Sequence, residues 1–181
     1  MSQKHRWKLK DIIFLALLAC FFGLIYQGAS YLYYALAATP LKPYANDLML
    51  GLWLMAGPLA GVCLRQKGAA FLGEFLAATT EMLLFSSWGA ANLITGSLQG
   101  LASELGFATT RYKNWGARGL AYGVIWATLL TFAWDYFYSG YRAYSLPMLL
   151  SLLGLRFLSL AFFDGLLIYL IKRLLSKAQV F

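Results

Sequence analysis

Residues 73–104 read GEFLAATTEMLLFSSWGAANLITGSLQGLASE. The stretch is apolar enough for a bilayer, yet it carries Glu74, Glu81 and Glu104, with Asn92 and Gln99 between them. A charge at bilayer depth costs at least ~2.5 kcal/mol on insertion scales. Three acids in two adjacent helices therefore need a compensating reason. Helix positions seven apart return to nearly the same face. Glu74 and Glu81 then share one face, with Ala77 and Ala78 between them. Asn92, Gly96, Gln99 and Ser103 share a face of the next helix. Two neighbouring helices each offer a polar stripe beside small residues, which predicts the wall of a polar cavity inside a membrane bundle.

The rest of the chain agrees. It is 61% hydrophobic and 12% charged, with a mean hydropathy of +0.64, against about 25% charged residues in soluble domains. At about 20 residues per spanning helix, 181 residues hold six helices and no separate soluble domain. We expect an all-α polytopic bundle forming one membrane-embedded domain over 1–181.

The expected helices cover about residues 9–38, 45–64 (kinked at Gly57-Pro58), 69–85, 91–110, 119–138 and 147–175. Pro40 and Pro43 break the chain after the first, Asp47 caps the second, and Pro147 suits a first helical turn. The formal charge of +8 does not indicate a nucleic-acid partner, because Lys and Arg sit at helix ends, as orientation signals do. With both termini cytoplasmic, the inner segments hold twelve basic residues: Lys4, Arg6, Lys8, Lys10, Arg65, Lys67, Arg111, Lys113, Arg118, Lys172, Arg173 and Lys177. The outer loops hold Lys42 and Arg142, and Arg156 lies within the last helix.

This topology puts Glu81 about two turns, roughly 10 Å, below the outer end of its helix. Asn92, Gln99 and Asp135 also fall in the outer half, with Trp53 and Tyr26 some way below the helix ends. An outward-facing, aromatic-lined pocket with one or two carboxylates is the composite. Arg156 needs an acidic partner, for which Glu104, Glu74 and Asp164 are candidates, Glu104 first. Asp11 and Asp47 open helices, where a carboxylate suits the dipole. His5 reads as a solvated residue in the basic start, and Cys20 and Cys63 as packing residues without metal-ligand spacing. We expect no metal, no cofactor and no catalytic constellation. Ala16/Cys20 and Ala19/Gly23 form small-xxx-small pairs that let a second helix approach.

Gly51-Leu52-Trp53, Arg65-x-Lys67-Gly68-Ala69-Ala70, Glu74 through Ala77-Ala78 to Glu81, and Gln99-Gly100-Leu101-Ala102-Ser103-Glu104 follow in order, with Asp135, Ser139-Gly140-Tyr141 and Arg156 after them. In this order and spacing the chain resembles the YkoE-like substrate-binding (S) components of energy-coupling factor (ECF) vitamin transporters. The resemblance covers nearly the whole chain, and the basic tail of such relatives is expected here as Lys177-Ala178-Gln179. It implies a six-helix binder of thiamine, or a thiamine precursor, in a prokaryotic cell membrane. It also implies docking on a transmembrane T component with paired cytoplasmic ATPases. Thiamine's cation and aminopyrimidine fit Glu81 as the polar anchor, with Trp53 and Tyr26 as platforms and Gln99, Asn92 and Asp135 next. Ala16, Ala19, Cys20 and Gly23 become the partner-facing set. Hydroxymethylpyrimidine (HMP) or another vitamin is the alternative ligand. A ligand-free membrane scaffold is the alternative of a different class.

Overall fold

The computed structural model describes residues 7–177. Lys4, His5 and Arg6 of the basic start, and Ala178 and Gln179 of the tail, lie outside the described residues. Helix α1 (Leu9–Ala37) opens with Asp11, which accepts the Lys8 N–H at 2.9 Å. The same carboxylate accepts from Gln66 Nε2 at 2.6 Å, tying the start of α1 to the turn after the second crossing.

That second crossing is broken. Helix α2 (Lys42–Met49) leads to a 3-10 turn (Leu52–Leu54) and then to α3 (Ala56–Leu64). The kink expected at Gly57-Pro58 lies earlier, between Met49 and Ala56. Pro58 stands in the first turn of α3, where the missing N–H costs nothing, so it starts a helix rather than bending one. Gly51, at the break, lets the chain pack closely on the last crossing: a Cβ there would lie 2.5 Å from the Ser159 carbonyl oxygen.

A helix that begins inside a membrane exposes N–H groups with no helical acceptor. Here the acceptors come from other helices. Ala56 N–H donates to Tyr26 Oη at 2.9 Å, and Gly57 N–H to Glu74 Oε2 at 2.8 Å. Glu74 is therefore a buried cap.

Helices α4 (Ala69–Leu83), α5 (Ala91–Thr109) and α6 (Ala117–Tyr138) follow. Glu104 caps α4, accepting from the N–H groups of Gly68, Ala70 and Phe71 at 2.7, 3.1 and 3.3 Å. The last crossing runs from α7 (Leu146–Leu160) through a π turn (Ala161–Leu167) into α8 (Ile168–Lys177). Asp164 lies in that turn, 3% exposed, with neither carboxylate oxygen hydrogen-bonded among the described residues.

Counting the two interrupted helices once each, the described residues form six helices and no strand. Three spans, Leu9–Ala37, Lys42–Leu64 and Leu146–Lys177, are long and apolar enough to cross a membrane by length and composition. Helix α4 is central, packed on α1, α3 and α5, and α5 packs on α6. Close approach is what small residues contribute in membranes: a Cβ on Gly106 would meet the Gly123 backbone at 2.5 Å. The contacts of Gln66 with Asp11 and of Lys172 Nζ with the Trp115 carbonyl (2.9 Å) gather the basic segments at one end of the bundle.

Candidate functional site

At the opposite end lies a cavity of about 280 Å³, near the lower limit of small-molecule pockets. Asn46 of α2 and Trp53 of the 3-10 turn form part of its wall. Glu81 of α4, Trp88 of the α4–α5 loop, and Asn92, Thr95 and Gln99 of α5 form another. Thr131, Trp134, Asp135 and Ser139 at the end of α6 complete the polar and aromatic lining. Five of the six residues expected to bind ligand meet here: Glu81, Trp53, Asn92, Gln99 and Asp135.

Tyr26 is the exception. It is 1% exposed, and its hydroxyl donates to Glu74 at 2.9 Å (Oε1) and 3.0 Å (Oε2) while accepting from Ala56. The hydroxyl serves the broken helix, and Tyr26 is not among the residues that line the cavity. Tyr26 acts on the site at one remove, through its carbonyl, which accepts from Trp53 Nε1 at 3.2 Å.

Glu81 is held by neutral donors. Its Oε1 accepts from Ser30 Oγ at 2.8 Å and from Ser86 Oγ at 3.4 Å, and its Oε2 accepts from Asn92 Nδ2 at 3.0 Å. Gln99 is half-buried and has no hydrogen-bond partner among the described residues, so its amide is available to the cavity.

The expected Glu104–Arg156 pair does not exist. Glu104 caps α4 at the basic end. Arg156, 0% exposed, donates from Nε to Asp47 Oδ1 at 2.6 Å and from Nη2 to Asp135 Oδ2 at 2.5 Å. Its Nη1 reaches Thr131 Oγ1 at 3.1 Å, and its guanidinium lies 5.2 Å from the Phe132 ring centroid. Asp47 is therefore a buried ion-pair partner and not the expected cap, because α2 starts at Lys42, a turn earlier than expected, and leaves Asp47 in its second half. It also accepts from Tyr141 Oη at 2.6 Å. Tyr141 lies in the α6–α7 loop, where burial, and then the Asp47 carboxylate, push its hydroxyl above the usual tyrosine pKa and keep it a donor. Asp135 accepts in addition from Asn46 Nδ2 at 2.9 Å and Ser139 Oγ at 2.6 Å.

The four small residues of α1 divide. Ala16 and Cys20 are exposed. Ala19 is 4% exposed, and a Cβ on Gly23 would meet Thr80 of α4 at 2.6 Å. That half of the expected partner face is intramolecular packing.

Sequence reasoning counts Trp88 and Trp134 among the outer-half aromatics but favours a membrane-interface role for each, and it misses Asn46 and the role of Asp47. Trp88 follows Glu81 by one helix end and a short turn, and that adjacency was the available signal. Asp47 was discoverable from depth: it lies about 7 Å below the start of α2 by helical rise, in the same half as Asp135.

Residues 10–130 match the family described as ABC-type cobalt transport system, permease component. YkoE of Bacillus subtilis (strain 168), described as a candidate HMP/thiamine permease protein, is 32% identical over 161 residues, covering 89% of this chain and 80% of that protein. A crystal structure of an S component of an ECF transporter matches with a TM-score of 0.90 at 31% identity, covering 97% of this chain and 88% of that one. A fold shared this closely, at an identity well above the level where only the fold is informative, assigns a multi-pass membrane transport component rather than an enzyme. The chain belongs to the ABC-type cobalt transport permease family and, within it, to the YkoE-like S components of ECF transporters.

Proposed function

We propose that this S component binds thiamine in the cavity between α2, α4, α5 and α6, reached from the outer side of the membrane. One observation carries the reading: the cavity wall holds two carboxylates and three tryptophans and no basic side chain. Arg156 offsets one negative charge of the Asp47/Asp135 pair, and Glu81 has only hydroxyl and amide donors. Such a wall favours a cation with flat rings. A carboxylate forms strong charge-assisted bonds, and indole faces attract a cation within about 6 Å of the centroid. Thiamine supplies a permanent thiazolium charge and an aminopyrimidine edge for Asn92 and Gln99. The donor set does not suit a metal ion as cargo: among the described residues no group of three His, Cys, Asp or Glu side chains converges.

The basic end of the bundle faces the cytoplasm in this proposal, which puts both termini there and the cavity outside, in a prokaryotic cell membrane. Energy comes from a T component and its paired ATPases. HMP is the second reading, supported by the name of the Bacillus relative; uncharged, it gains less from Glu81.

Isothermal titration of purified protein with thiamine and with HMP tests both. We expect micromolar or tighter binding of thiamine and weaker binding of HMP. Glu81→Gln should weaken thiamine binding by ~1.5–3 kcal/mol, the scale of a hydrogen bond to a charged group. No heat at millimolar thiamine removes the proposal, and an unchanged Glu81→Gln variant moves the anchor elsewhere.

A further inference from the structure

Trp88 is attached to Glu81 twice, each time through a serine. Its indole Nε1–H donates to Ser30 Oγ at 3.0 Å, and Ser30 Oγ donates to Glu81 Oε1. Its backbone N–H donates to Ser86 Oγ at 3.4 Å, and Ser86 Oγ donates to the same Oε1. A hydroxyl that gives its proton to a carboxylate becomes a better acceptor, because hydrogen bonds in a chain polarise one another. The position of the indole therefore depends on what the carboxylate is bonded to.

The rings around Trp88 form a shallow cradle. Tyr34 stacks on it at 5.7 Å and 18°, and Tyr33 and Trp53 lie 5.1 and 6.0 Å away. The segment that carries it, between α4 and α5, has little holding it from outside. Phe85 is 95% exposed and takes a left-handed φ of 61°, and Tyr34 Oη to Ser87 Oγ (2.6 Å) is a contact at the surface.

We propose that Trp88 is a ligand-reading residue: its indole is one wall of the binding cavity, and the Ser30 and Ser86 relays set its position according to the occupancy of Glu81. The identity of the ligand rests on the proposed function above; the relay does not. A cation arriving at Glu81 neutralises the carboxylate, weakens both relays at once, and frees the indole to close over the ligand. Trp88 is then a specificity-determining residue that favours ligands able to present a positive charge or strong donor to Glu81 and a flat face to the indole. Ser30 is a positioning residue.

The test uses the full chain, purified in detergent and labelled with 5-fluorotryptophan, with Trp88→Phe assigning the Trp88 fluorine resonance. Without ligand, Ser30→Ala and Glu81→Gln should each shift that resonance, Ser30→Thr should leave it near the wild-type position, and the Trp126 resonance should stay fixed in all three. An unmoved Trp88 resonance in folded Ser30→Ala and Glu81→Gln overturns the relay. Thiamine should then move the Trp88 resonance in wild type, and Trp88→Phe should speed thiamine dissociation by about tenfold, the scale of one cation–aromatic contact. A thiamine dissociation rate unchanged by Trp88→Phe overturns the wall role. If wild type binds no thiamine while the ligand-free shifts occur, the relay stands and the thiamine reading fails.

Discussion

Asp47 Oδ1 accepts the Arg156 Nε hydrogen at 2.6 Å with both side chains fully buried, across 109 residues of chain. The bond joins α2 to α7 inside the bundle. The guanidinium also serves Asp135, Thr131 and the faces of Phe132 and Tyr141. A planar fork with five donors meets this demand in a way that an ammonium cannot.

Arg156→Met should leave Asp47 and Asp135 without their counter-charge. Removing one partner of a buried ion pair costs ~3–5 kcal/mol. We expect a large loss of folded yield and a lowered melting temperature in detergent. A wild-type melting curve would show that the two carboxylates draw their stabilisation from elsewhere.

Tyr26→Phe keeps the ring and removes the hydroxyl that donates to Glu74 and accepts from Ala56. Leaving these buried groups unpaired should cost ~1–3 kcal/mol of stability. Thiamine affinity of the folded fraction should stay within about threefold, or ~0.7 kcal/mol, because the ring does not line the cavity. Calorimetry showing a tenfold weaker site would return Tyr26 to the ligand.

Glu104→Gln weakens the cap on α4 and should lower stability by ~0.5–2 kcal/mol, the range for helix caps. Combined with Arg156→Lys, the two costs should add within ~0.5 kcal/mol, as distant sites do. Strong coupling between them in a double-mutant cycle would revive the pair that the geometry separates.

Ala16→Trp and Ala19→Trp should part company. Ala16 is on the exposed face, and Ala19 is packed within the bundle. Overpacking should cost Ala19→Trp ~1–3 kcal/mol and much of its folded yield. Ala16→Trp should keep thiamine affinity within about threefold and lose both uptake and co-purification with the T component. Normal uptake by Ala16→Trp would remove this stripe of α1 from the coupling surface.

The helices were legible because their signals are local. Apolar runs, prolines and basic turns placed α1, α4, α5 and α6 within one or two residues, and the depth of Glu81, Asn92, Gln99 and Asp135 brought four polar groups to one cavity. What failed was pairing across the bundle. Glu74, Glu81 and Glu104 look alike in a string of letters, yet one caps α3, one faces the cavity and one caps α4. The difference lies in which N–H groups the neighbouring helices leave unpaired, and that depends on the break at Gly51. Arg156 pairs with Asp47 and Asp135 rather than Glu104, because the N–H groups at the start of α4 claim Glu104. The separation of Ala16 from Ala19 follows the rotation of α1 against α4, which small-residue spacing alone does not define.

The π turn at Ala161–Leu167 closes each of its hydrogen-bonded rings with one residue more than an α-helix does. One residue corresponds to about 100° of helical azimuth. The final segment, Ile168–Lys177, is thus clocked about 100° away from the direction an uninterrupted helix would take. Lys172, which donates to the Trp115 carbonyl, lies beyond that offset. Deleting a single residue from the turn would restore a regular helix and rotate the charges of α8 around the bundle, leaving Asp47, Asp135 and Arg156 on the other side of the turn in their present register. The turn is a phase shifter: it lets the cavity end and the basic end of one helix be oriented independently.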